Sequence, residues 1–119
     1  LSALAEEFGT PLYVYSQEAF LKPLRALSEA LQDFPHSIHF ALKANSNLEI
    51  LKLLSRAGAG MDVVSGGELA RALRAGVRGD QIVFSGVGKS EEEIAMALKV
   101  PGGIFSFNVE SLPELEAIG

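Results

Sequence analysis

The lysine at position 43 closes the run Ile38-His39-Phe40-Ala41-Leu42-Lys43, and Ala44-Asn45-Ser46-Asn47 follows it. The run reads as a strand, whose side chains alternate between two faces. Ile38, Phe40 and Leu42 share a bulky apolar face. His39, Ala41 and Lys43 share the other, which narrows to a small residue and then presents an amine. Lysine is rarely buried without a partner. In a low-dielectric site the neutral amine is favoured and becomes a nucleophile suited to Schiff-base chemistry. The plainer alternative is a lysine that emerges into solvent where the strand ends.

Other polar residues fall on the same parity in later apolar runs. Asp62 alternates with Met61 and Val63, Ser85 follows Phe84, and Ser106 and Asn108 alternate with Phe105 and Phe107. Together they place polar groups at the C-terminal ends of successive strands, where α/β-barrel enzymes build their sites.

The elements that would position these groups repeat. Strand-like runs begin near Ile38, Met61, Ile82 and Ile104, at spacings of 23, 21 and 22 residues. A helical pattern follows each of the first three: Leu48, Leu51 and Leu54; Leu69 and Leu73; Ile94, Ala97 and Leu98. Ser46, Ser65, Ser90 and Ser111 each precede a glutamate by three residues (Glu49, Glu68, Glu93 and Glu114), the spacing of a capping box. A repeated βα unit implies a parallel sheet. The expected organisation is therefore a leading piece, residues 1–35, followed by four βα units over 36–119. In the leading piece Thr10–Tyr15 reads as a short strand and Ser16 as a helix cap. The helix carries Phe20, Leu24, Leu27, Leu31 and Phe34 on one face, and Pro23 is expected to kink it or delay its start.

Composition restricts the function classes. With 48% hydrophobic and 21% charged residues and no low-complexity run, the chain reads as globular. A formal net charge of −5 with scattered Lys and Arg argues against nucleic-acid binding. No apolar stretch reaches the roughly 18 residues of a membrane span, and no leader-like segment opens the chain. The absence of cysteine excludes disulfides and thiolate chemistry in this segment and makes the cytoplasm the default setting.

Two motifs fail on inspection. Gly88-Lys89-Ser90 looks like the end of a phosphate-binding P-loop, but the glycine required five residues before Gly88 is Val83. It reads instead as a turn with Ser90 as helix cap. Gly58-Ala59-Gly60 precedes a strand, unlike a dinucleotide fingerprint, and reads as a helix stop. His36 and His39 lack metal-ligand spacing to any carboxylate pair, so no metal site is expected. His36 reads as a loop residue, and His39 as either core filler or a residue behind the site.

Phe40-Ala-Leu-Lys43-Ala-Asn-Ser-Asn47 resembles the lysine motif of the group IV decarboxylases, which share a barrel with alanine racemase. Gly58-Ala-Gly-Met-Asp62-Val-Val-Ser-Gly66-Gly67-Glu68-Leu69 continues the resemblance, most closely to the diaminopimelate decarboxylases. Gly9–Tyr15, Ile82–Ser90 and Phe107–Ser111 extend it over essentially the whole chain. One departure is Ser85-Gly86-Val87, where many relatives carry His-Gly-Asn.

The resemblance implies a partial (βα)₈ TIM-type barrel of the alanine racemase-like class, an N-terminal portion of a longer enzyme. The remaining units, the phosphate loop and a C-terminal β domain would lie downstream. It implies pyridoxal 5′-phosphate as cofactor, carried by Lys43 with Asp62 beside it, and decarboxylation of meso-diaminopimelate to L-lysine. For Asp62 the alternative is a carboxylate that merely pairs with a neighbouring lysine. Ser65 and Glu68 read mainly as helix cap, and Asn45 as shaping the turn after Lys43. Expected partners are a small amino acid and, in the full-length cytoplasmic enzyme, a second copy of the protein. The isolated 119 residues are expected to be inactive. Rivals on the same fold are ornithine, arginine or carboxynorspermidine decarboxylases, a racemase, and a cofactor-carrying barrel that catalyses nothing.

Overall fold

A computed structural model describes residues 1–119. Four short strands, β1 (His39–Ala41), β2 (Gly60–Val63), β3 (Ile82–Phe84) and β4 (Ser106–Phe107), form one parallel sheet in the order β1-β2-β3-β4. Consecutive order without a reversal is that of a barrel wall, as distinct from a doubly wound sheet. Register aligns His39 with Gly60, Ala41 with Asp62, Asp62 with Val83, and Val83 with Ser106.

Helices α1 (Ser2–Phe8) and α2 (Gln17–Ala30) precede the sheet. Helices α3 (Leu48–Arg56), α4 (Gly66–Arg74), α5 (Glu91–Leu98) and α6 (Leu112–Ile118) each follow a strand. The core lies between the helices and one face of the sheet, where Leu42, Leu51, Met61, Val63, Leu69, Ile82 and Phe84 are fully buried. Phe107 stacks on Phe84 with ring centroids 5.9 Å apart. On the other face Ala41, Asp62, Val83 and Ser85 are only half-buried. This is the expected alternation, and it leaves the inward side of the wall open.

Helix ends follow local chemistry. Ser65, Ser90 and Ser111 accept from the N–H three residues on, and Ser90 with Glu93 forms a complete capping box. The first cap is Asn47 and not Ser46: Asn47 Oδ1 accepts from Glu49 N–H at 2.9 Å. Asn45 Oδ1 in turn accepts from Asn47 N–H at 3.0 Å, so Asn45 shapes this turn. After α3 the chain reverses at Gly58, whose φ of 94° suits a residue without a Cβ.

The leading piece departs from expectation. Thr10–Tyr15 forms no strand: Thr10 and Pro11 lie in a bend, the rest pairs with no other segment, and Tyr13 is 86% exposed. A segment without a pairing partner has no ladder to satisfy its backbone, so composition alone does not make it a strand. Residues 2–8 form a helix that periodicity did not mark, and none of its residues is buried. Helix α2 begins directly after its Ser16 cap and runs through Pro23 without a delayed start. Phe20 and Leu24 pack on the core, and Phe20 meets Phe40 edge-on at 6.5 Å. Leu27 and Phe34 stay exposed.

Candidate active site

Strand β1 ends at Ala41, two residues before Lys43. Leu42–Ala44 forms a single 3₁₀ turn in which Leu42 drops into the core and Lys43 is exposed. Lys43 therefore stands just beyond the C-terminal end of the strand and is not its last inward residue. Leu42 is buried on the apolar face as the alternation requires, and it is the 3₁₀ turn that carries Lys43 off the strand. Lys43 takes part in none of the chain's four ion pairs.

Three of the polar residues at this end do meet. Ser85 Oγ donates to Asp62 Oδ1 at 2.5 Å, and Asn108 Nδ2 donates to Ser85 Oγ at 2.9 Å. The chain Asn108–Ser85–Asp62 thus ties the end of β4 to β3 and β2 across the inward face. Asp62 sits beside Ala41 in the register, on the strand next to the one that delivers Lys43. Its Oδ2 has no hydrogen-bond partner within the chain and is not buried, so it remains available to a cation.

Neither histidine joins this cluster, and His36 is the expected loop residue. His39 is the first residue of β1, at the opposite end of the strand from Lys43. Its Nε2 lies 3.2 Å from Ser37 Oγ, and its ring packs 5.6 Å from that of Phe105. That contact also places Phe105 against His39, whereas Phe107 is half-buried and packs against the core. His36 is a loop residue near Ser28 and the Phe34 carbonyl. No group of three or more His, Asp or Glu is arranged to hold a metal ion. A cleft of about 310 Å³ between α2 and α3, lined by Phe20, Asn47 and Lys52 among others, includes none of Lys43, Asp62, Ser85 or Asn108.

The loops at this end are held by a device that the sequence patterns did not reveal. Each of the first three βα loops is tied by the helix of the following unit. Arg71 of α4 donates to the Ser46 carbonyl at 3.3 Å. Glu93 of α5 accepts from Gly66 N–H at 2.6 Å, the first N–H of α4. Glu114 of α6 pairs at 2.6 Å with Lys89, in the loop before α5. Hydrogen bonds from the Ser90 and Gly66 N–H groups hold the Glu93 carboxyl below the usual glutamate range. Lys89 does the same for Glu114, against the opposing effect of desolvation. Lys89 was legible only as the residue of a failed phosphate motif.

Comparison with known proteins accords with this arrangement. The family model "Pyridoxal-dependent decarboxylase, pyridoxal binding domain" matches residues 18–119. The chain is 55% identical over 115 residues to a diaminopimelate decarboxylase of Pseudomonas fluorescens, covering 97% of this chain and 27% of that protein. It superimposes on diaminopimelate decarboxylase from Helicobacter pylori, solved with L-lysine, with a TM-score of 0.92 and 45% identity, over 98% of this chain and 29% of that one. A lysine/ornithine decarboxylase from Vibrio vulnificus, solved with putrescine, gives 0.85 and 30%, over 98% of this chain and 31% of the other. The chain thus spans somewhat over a quarter of the length of the relatives it matches, and it has their partial α/β-barrel fold. With the family match running through the strands, the Lys43 turn and the Asp62 network alike, the chain belongs to the pyridoxal-dependent decarboxylases, as part of their pyridoxal-binding domain.

Proposed function

We propose that a protein containing this chain decarboxylates meso-diaminopimelate to L-lysine with pyridoxal 5′-phosphate. The observation that carries the substrate is the drop in identity from the diaminopimelate decarboxylases to the lysine/ornithine decarboxylase, 45% against 30% among the superimposed structures. Donor chemistry supports the cofactor in part. Lys43 offers an exposed primary amine at the C-terminal end of the wall, and Asp62 offers an unpartnered carboxylate oxygen on the next strand. These two residues fit the aldehyde-bearing ring. The first-turn amides fit its phosphate poorly, because Ser65, Glu93, Ser90 and Ser111 already occupy N–H groups at α4, α5 and α6. In our reading the phosphate grip comes from other units of the barrel.

When bound, the cofactor supplies an electron sink for the charge left as CO₂ departs. Lys43 holds it through Nζ. Asp62 orients it and balances positive charge nearby, while Ser85 and Asn108 fix the Asp62 rotamer by their two hydrogen bonds. In the same reading the protein works as a cytoplasmic homodimer, and residues 36–119 are the first four units of its barrel. The isolated chain is catalytically silent. Its inward face is open to water, and β1 and β4 each present an unpaired edge that favours self-association.

The test uses the full-length protein. Borohydride reduction with pyridoxal phosphate should leave the label on Lys43 in peptide maps. Lys43→Ala should abolish CO₂ release from meso-diaminopimelate without changing the circular dichroism. A label on another lysine would overturn the site, and faster turnover of ornithine or arginine would overturn the substrate.

A further inference from the structure

We propose that Lys89 is a positioning residue for the candidate site: it fixes the Asn108–Ser85–Asp62 chain by clamping the backbone on both sides of it. The inference rests on the reading of Asp62 as a cofactor-facing residue. The Lys89 side chain is fully buried, with 0% exposure. Its ammonium donates to two carbonyls, Gly86 O at 2.6 Å and Asn108 O at 2.9 Å, and is ion-paired with Glu114 Oε1 at 2.6 Å. The ring of Phe84 lies below it, 5.9 Å from Nζ to centroid.

The two carbonyls belong to the residues that matter for the chain. Gly86 follows Ser85 directly, and Asn108 is itself the donor to Ser85. A cation held between them sets the spacing of the β3 and β4 ends, and with it the reach of Asn108 Nδ2 to Ser85 Oγ. Glu114 balances the buried charge. Its Oε1 is buried and meets Lys89 as an ion pair without a hydrogen bond, while its Oε2 accepts from Glu110 N–H at 3.1 Å. The clamp touches none of the groups that would meet substrate or cofactor, so it acts only through Asp62, Ser85 and Asn108. A neutral side chain in its place would leave two loop carbonyls and a carboxylate without their shared cation.

The experiment uses the full-length protein in four forms: wild type, Lys89→Met, Asp62→Asn and the double variant. Hydrogen exchange of the peptides spanning 85–90 and 106–112 reads the clamp independently of activity. Lys89→Met should speed exchange in both peptides together by about tenfold. It should lower kcat about 10- to 100-fold with KM within about threefold, and borohydride should still label Lys43. In the Asp62→Asn background the same substitution should cost less than threefold further, because the route through Asp62 is already cut. Lys89→Arg should restore part of kcat. Should Lys89→Met fail to fold, Glu114→Gln loosens one arm of the clamp and should give the same paired exchange at two- to fivefold. Unchanged exchange in either peptide, or losses that multiply in the double variant, would overturn the proposal. Failure of the wild type to turn over diaminopimelate would refute only the substrate, since the exchange comparison still decides the clamp.

Discussion

Replacing Glu93 by alanine should loosen the junction between the second and third βα units. The carboxylate accepts from Gly66 N–H at 2.6 Å and from Ser90 N–H at 3.0 Å. Gly66 is buried and opens α4, so its N–H has no helical acceptor to fall back on. Leaving a buried donor unmade costs about 1–3 kcal/mol. Ser90 is exposed, and water replaces the lost acceptor there at little cost. Because Glu93 itself is partly exposed, screening holds the total to about 1.5–2 kcal/mol. Amide exchange at Gly66 in the full-length protein should then accelerate by roughly 10- to 30-fold, while distant core amides change little. Glu93→Gln keeps one oxygen acceptor and loses the charge, so it should fall about halfway between.

The same pair sets an acid dependence. The folded pKa of Glu93 lies below its ordinary value of 4.5. Its stabilisation is therefore complete above that value and fades as pH falls through the lower folded one. Glu93→Gln should flatten this part of the acid unfolding curve. Gly66 exchange within twofold of wild type in Glu93→Ala, or an equal loss in both variants, would refute the reasoning.

Two further outcomes test the local geometry. Gly60→Ala should destabilise the protein by about 1–3 kcal/mol in denaturant titration, because a Cβ there would come within 2.5 Å of His39 Nδ1 and 2.6 Å of the Gln81 carbonyl. A His39→Ala background should recover only part of that loss, since the backbone carbonyl cannot withdraw. Asn47→Ala should cost about 1 kcal/mol as the lost cap of α3, and Ser46→Ala close to nothing; thermal melts in which Ser46→Ala is the worse variant would contradict the cap assignment.

The sheet was legible because each strand's apolar residues face one layer of helices. The alternation of Asp62 with Met61 and Val63 needs no knowledge of distant residues. Ser65, Ser90 and Ser111 were legible for the same reason, since a cap and its N–H lie within one turn. Ser46 misled because Asn47, a cap of equal strength, stands one residue closer to the helix. Lys43 was placed on the right segment but in the wrong local geometry. Whether a strand continues past Ala41 depends on its partner, and β2 pairs with β1 only as far as Ala41. Thr10–Tyr15 has strand composition, but pairing is a property of two segments, and no second one meets it here. Lys89 was illegible for a related reason. Its burial depends on carbonyls at positions 86 and 108 and a carboxylate at 114, brought together only by the parallel stacking of units.

The ties from Arg71, Glu93 and Glu114 all point backward along the chain, from one helix to the loop of the preceding unit. That gives the wall a direction. On a ribosome, where residues appear in numerical order, each active-end loop stays unfastened until the next helix has been made. Completion trails synthesis by one unit of about 22 residues, a few seconds at ordinary elongation rates. A slow codon run placed far enough after a helix for it to have left the ribosome would therefore let the loop behind it lock, whereas one that halts synthesis before the helix emerges would hold the loop open.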